Sequence, residues 1–274
     1  VTPPEFFHGY DEKAETITRK GLAQIKSMRD AIDYGMVDSE QNKKDLEQMG
    51  YECPISVVSI LIPFKDYEQQ PDLDVVNGYS DGNTNIVFVG RIVPNKKFED
   101  VIACFAAYKK KYDPAARLFL VGNYQETDAY YQHLQEYIKE CGVENVIFPG
   151  HIAFRTILAY YKIADLFLCM SEHEGFCVPL VEAMFFETPI VAYASTAIPG
   201  TLGGSGVLVE TVAETMNHMM QDAEYRSEIL KKQDARLKDF AYESIRGQIL
   251  DEIEKVQRSK IDKVRKQNGE EKAN

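Results

Sequence analysis

The chain has 274 residues, 45% of them hydrophobic and 27% charged, which suffices for one large or two medium soluble domains with buried cores. Acidic side chains outnumber basic ones 43 to 31, and the net charge of −12 repels nucleic acid and argues against a nucleic-acid partner. No apolar run reaches the ~18 residues of a transmembrane helix.

The opening VTPPEFFHGY has neither an initiator Met nor a signal-peptide pattern, and reads as the interior of a longer polypeptide. EKAETITRKGLAQIKSM (12–28) is a polar-rich helix, and DYGMVDS (33–39) is a short strand running into Ser39, an N-cap for SEQNKKDLEQMG. ISVVSILIP (55–63) is an apolar strand ended by Pro63. Residues 1–64 therefore read as the C-terminal part of one α/β domain, and the polar, turn-rich 65–83 as a linker.

From Asn85 onward short apolar runs alternate with amphipathic segments: NIVFVG as strand, FEDVIACFAAYKKKY as helix, ARLFLVG as strand, DAYYQHLQEYIKECG as helix closed by Gly142. NVIFPG, DLFLCM and TPIVAYA continue as strands, with AFRTILAYYKIA and PLVEAMFF as the helices between them. Continuous apolar strands alternating with helices predict a parallel sheet covered on both faces, a doubly wound, Rossmann-like α/β domain over 84–240. After residue 210 the pattern is helical, and 241–274 forms a last helix with a charged tail. Cysteines at 53, 104, 141, 169 and 177 lack CxxC spacing and are expected to be free, mostly buried thiols of a reducing cytoplasm.

In such a sheet, ligands bind beyond the carboxyl ends of the strands. Arg91 and Lys96 follow one strand, Gly122 and Asn123 the next, Gly150 and His151 a third, and Glu174-Gly175 a fourth. An Arg fork, a Lys point charge and the amides of Phe176, Cys177 and Val178 at a helix start suit a phosphate. Gly175 allows close backbone approach. Taken singly, each also fits a solvated loop or a tight strand-to-helix turn. Glu182, in the first turn of the otherwise apolar PLVEAMFF, needs hydrogen-bond donors that sugar hydroxyls could supply, and Glu174 could reach a second sugar. Two ordinary acidic residues are the competing account. His173-Glu174 does not extend to HExxH, and Asp72-Leu73-Asp74 falls in the linker with no strand before it.

VGRIVPNKK, GHIAFRTILAYYKIADLFLCMSEHEGFCVPLVEAM, TPIVAYASTAIPG and SGVLV, in this order, resemble family 4 (group 1) glycosyltransferases over roughly residues 30–255. The strongest single item is the seven-residue gap between Glu174 and Glu182. The resemblance implies a GT-B fold and transfer of a sugar from a nucleoside-diphosphate sugar to a glycan or lipid-linked acceptor, with retention of configuration. It also implies that Arg91 and Lys96 hold the diphosphate and that Glu182 holds the ribose. Glu174, with amides 175–178, would hold the sugar, and Gly150, His151 and Ile152 would line the base pocket. No cofactor or metal is expected. The family's usual EGFG is EGFC here, a small-for-small change expected to be tolerated, and Gly200 replaces a frequent Glu. The family's opening glycine-rich loop and acceptor strands have no counterpart, so the chain alone is expected to be inactive and to need that N-terminal portion as partner. The competing functions are a non-catalytic nucleotide- or partner-binding module and a nucleotide-sugar epimerase or hydrolase. The basic end IEKVQRSKIDKVRKQ implies at most peripheral attachment to the inner face of the membrane.

Overall fold

The computed structural model describes residues 2–208 and 212–267, with side chains to residue 260. Its first part is α1 (Glu12–Met28), β1 (Gly35–Val37), α2 (Glu40–Gln48) and β2 (Ile55–Val57), with β1 and β2 paired in parallel. Asp11 and Ser39 cap the two helices, each side chain accepting from a backbone amide three residues on. The apolar run 55–63 is paired with β1 over Ile55–Val57 only, with the Val58 amide donating to the Val37 carbonyl at 2.8 Å at its end. Neither helix has a fully buried residue.

Residues 65–83 hold two short helical segments separated by coil and followed by bends at 81–83. A 3-10 turn spans Phe64–Glu68, and α3 spans Leu73–Tyr79, capped by Asp72, whose other oxygen accepts from Thr156. Val75, Val76 and Tyr79 pack on the core, a short apolar face that Asp, Asn and Gly obscure in the sequence.

The larger part runs β3 (Asn85–Val89), α4 (Phe98–Lys111), β4 (Arg117–Val121), α5 (Ala129–Cys141) and β5 (Val146–Ile147). It continues through α6 (Phe154–Ile163), β6 (Leu166–Cys169), α7 (Val178–Phe185), β7 (Ile190–Ala192), α8 (Ile198–Leu202) and β8 (Val207–Leu208). The six strands are parallel in the order β5-β4-β3-β6-β7-β8. Every residue of β3, β6 and β7 is buried, which requires helices on both faces of the sheet. Phe88 packs between Phe98 and Phe167, at 4.9 and 5.9 Å between ring centres. Each such ring contributes about 1.5–3 kcal/mol by burial.

Three helices follow: α9 (Val212–Gln221), α10 (Ala223–Leu237) and α11 (Tyr242–Gln267). Gln233 of α10 is buried and spans two backbone groups, donating to the Thr188 carbonyl and accepting from the Ile190 amide. α11 returns to the first part of the chain, where Glu252 accepts from Tyr34 at 2.5 Å and Ser56 at 2.6 Å. Among the described residues no helix is long and apolar enough to cross a membrane. In the basic C-terminal stretch, the side chains of Lys263, Val264, Arg265 and Lys266 lie outside the described residues.

Candidate functional site

Strand order reverses between β3 and β6, where one neighbour follows β3 outward on one side and β6 on the other. A crevice forms at such a switch point, outside the carboxyl ends of the two strands. The loops that leave β3 and β6 carry Lys96 and Glu174, and these side chains meet across the crevice at 2.5 Å. Both are largely buried, at 15% and 7% side-chain exposure, so the pair is poorly screened by solvent. Burial works against the charged Lys96 amine, but neighbouring Cys177 and Glu174 more than offset it and leave its pKa raised.

Asn95 fixes the two loops to each other. Its side chain donates to the His173 carbonyl at 3.0 Å, and its own carbonyl accepts from the amides of Glu172 and His173. Lys97 adds an ion pair to Glu172 at 3.3 Å. The loop after β7 joins through Thr196, which accepts from the Glu174 amide at 2.8 Å.

The rim continues in the other direction. Gly122 lies against Gly90, where a Cβ would sit 1.8 Å from the Gly90 carbonyl oxygen, so only glycine fits. The Lys96 side chain crosses Gly90, and the Ile92 amide donates to the Asn123 carbonyl. Asn123 in turn bonds the His151 ring at 3.0 Å, and Gly150, at φ 76°, lies against Tyr124. The expected residues 90–91, 96, 122–123, 150–151 and 174 thus belong to one chain of contacts along the carboxyl rim. Arg91 is exposed, and its guanidinium has no partner among the described residues. Ile152 is half-buried beside this loop.

Glu182 departs from the expectation. α7 begins at Val178, so Glu182 lies past the first turn and gains little from the helix dipole. Both its oxygens already accept, from Tyr67 at 2.9 Å and from Tyr161 at 2.6 Å. Burial raises its pKa, and the two phenolic hydrogen bonds only partly oppose that. A carboxylate has about four acceptor positions, so room for further donors remains. Phe176 is buried with its ring edge-on to Phe240, which anchors the loop, while its carbonyl accepts from Thr201. Cys177 is not a neutral replacement for glycine, since its backbone is left-handed, at φ 70° and ψ 65°. Gly200 lies in α8, where its carbonyl accepts from Arg236 at 2.9 Å.

Asn95, Tyr67, Tyr161 and Thr196 escaped the sequence reading. Only Tyr161 had a local signal, an aromatic at the end of an amphipathic helix leading into the strand that carries the loop. Glu174, Cys169 and Cys177 bring three possible metal ligand atoms within 4.8 Å of one another, but Lys96 already supplies a cation to that carboxylate.

The family described as "Glycosyl transferases group 1" matches residues 69–236, which include every rim residue above. The chain belongs to this family. It is 22% identical over 171 residues to O-antigen chain mannosyltransferase B of Escherichia coli, covering 60% of this chain and 44% of that protein. Among solved structures, sucrose-phosphate synthase from Thermosynechococcus elongatus superposes with a TM-score of 0.75 at 21% identity, covering 92% of this chain and 65% of that one. Anabaena HepE, solved in complex with UDP and glucose, gives 0.74 at 21% identity, covering 86% and 67%. These likenesses establish a GT-B type fold. The chain spans less than half the length of the mannosyltransferase it matches.

Proposed function

We propose that this group 1 glycosyl transferase chain supplies the donor site of a retaining, nucleotide-sugar-dependent glycosyltransferase acting on a glycan or lipid-linked acceptor. The observation that carries this reading is the buried Lys96–Glu174 pair, formed by the two loops that flank the switch point. Lys96 retains N–H donors beyond the one given to Glu174, and these can meet a diphosphate oxygen. Arg91 has an uncommitted planar fork for the same anion. The amides of Gly175, Phe176, Cys177 and Val178 lead into α7 and add its dipole.

As the sugar departs, negative charge grows on the diphosphate, and these groups are already in place to stabilise it. Glu174, held by Lys96, accepts from hydroxyls of the transferred sugar. Glu182 accepts from the ribose hydroxyls on the positions its tyrosines leave open. Gly150, His151 and Ile152 sit where the base would lie. The cationic groups carry the phosphate charge without a divalent metal.

Calorimetric titration with UDP, GDP, ADP and TDP, repeated with EDTA, tests this. One or more should bind, with affinity unchanged by EDTA. Glu182→Ala should weaken bare diphosphate and sugar nucleotide alike, by roughly the 1–3 kcal/mol of an unmade polar contact. Glu174→Ala should weaken the sugar nucleotide more. Equal losses for both variants against both ligands would refute the assignment.

A further inference from the structure

The donor reading leaves a pair of buried thiols without a task. Cys169 ends β6 with no exposure, and Cys177 precedes α7 at 5% exposure. A Cβ in the left-handed region costs about 1–2 kcal/mol relative to glycine, so Cys177 is held there against a local preference. Its side chain turns inward. The two sulfurs and a Glu174 oxygen lie within 4.8 Å of one another. Ser171 adds its hydroxyl 3.6 Å from the Cys169 sulfur.

The surroundings set the two thiols apart. The neighbouring Cys177 thiol lowers the pKa of Cys169 against the opposing effect of burial, while Cys177 is raised by its neighbour Cys169 and by burial. Cys169, whose sulfur has the Ser171 hydroxyl beside it, is the nucleophile of the pair. The other three cysteines, Cys53, Cys104 and Cys141, are half-buried, and burial raises Cys104 to about 11.

We propose that Cys169 and Cys177 form a peroxide-sensitive dithiol whose oxidation to a disulfide closes the donor site. The Cys169 thiolate attacks an oxygen of hydrogen peroxide and becomes a sulfenic acid, releasing hydroxide. The Cys177 sulfur then attacks that sulfenic sulfur and water leaves, carrying the Cys177 proton. Two thiols lose two electrons, and one peroxide becomes two waters. Peroxide is small and uncharged, which suits a pair beneath a loop. The bond would draw Cys177 toward β6 and displace the amides 176–178 and the Lys96–Glu174 pair beside them.

The bond stands on the geometry of the sulfurs alone, whereas its effect on binding rests on the donor reading. The test treats the protein with hydrogen peroxide, blocks remaining thiols, and maps peptides by mass spectrometry. A Cys169–Cys177 linked peptide should appear and vanish on reduction with dithiothreitol. Affinity for the nucleoside diphosphate that binds the reduced protein should fall about tenfold or more, the scale of one lost charge-assisted hydrogen bond. Cys169→Ala, or Cys169→Ser if the alanine variant folds poorly, should bind as the reduced protein does and ignore peroxide. Free Cys169 and Cys177 after peroxide would overturn the proposal, as would a link formed with no change in affinity. A link in a protein that binds no nucleotide even when reduced would support the dithiol and count against the donor reading instead.

Discussion

The two sheets of this molecule obey the same βαβ logic and differ in what surrounds them. In the six-stranded sheet, β3 is buried along its whole length, and Phe88, Phe119 and Phe167 on its strands and Phe98 of α4 have no exposure. In the two-stranded sheet, β1 alternates half-buried and exposed, and Met36 stands 52% exposed on it. Ile17 and Met28 of α1 are exposed at 57% and 50%. The comparison separates rigidity from contribution to the site. Lys96, Asn95 and Glu174 rise from the well-packed sheet. The first part of the chain also reaches this rim, with Asn42 against Gly175 and Phe6 against the His173 ring.

The largest expected effect is in hydrogen exchange. Amides of 86–89 and 118–121 should exchange only by global opening, and those of 12–48 faster by about a hundredfold or more, because few buried contacts hold them. Equal protection would erase the contrast between the two sheets. Next, Phe88→Ala should cost about 3–5 kcal/mol in denaturant unfolding, whereas Met36→Ala should stay within about 0.5 kcal/mol. Comparable losses would show that the exposed sheet carries core weight.

A smaller effect sharpens the link between the two parts. Hydrogen bonds from Lys255, Ser56 and Tyr34 lower the Glu252 pKa to about 2. A depressed carboxyl stabilises above its ordinary value near 4.5 and loses that contribution as pH falls toward 2. Acidification over this window should raise exchange in β1 and β2 beyond the intrinsic rate change, and leave β3 and β4 as they were. Glu252→Gln should reproduce the loosening at neutral pH.

The smallest effect has the opposite sign. Burial raises the Glu182 pKa above its usual 4.5, so its ionised form opposes folding. That cost is absent below the unfolded value and is fully present above the folded one. Glu182→Gln, which can accept from one of the two tyrosines and donate to the other, should therefore stabilise the protein at neutral pH and not in acid, while weakening nucleotide binding. A variant no more stable at pH 7 would show that the tyrosines fully offset the burial.

The fold was largely legible because its signals are local. Runs such as NIVFV and RLFLV are strands within a residue or two of where they read, since a strand covered on both faces buries consecutive residues, five in β3 and four in β4. The run 55–63 misled, because strand length is set by a partner that the run itself does not contain. Lys96 and Glu174 could be named because each follows a strand. Their pairing could not, since 78 residues separate them, and Tyr67 lies 115 residues from Glu182. The left-handed backbone of Cys177 was hidden for another reason. Side-chain size is written in the sequence, and φ is not.

The central claim is that the Lys96–Glu174 pair marks the seat of a nucleoside diphosphate. Titrating UDP, GDP, ADP and TDP into the wild type and into Lys96→Ala, with EDTA present throughout, tests it most directly. The account predicts binding of at least one diphosphate to the wild type, weakened roughly ten- to a hundredfold in the variant by loss of a charged hydrogen bond. Undiminished binding to a folded Lys96→Ala, or wild-type binding that EDTA abolishes, would contradict it.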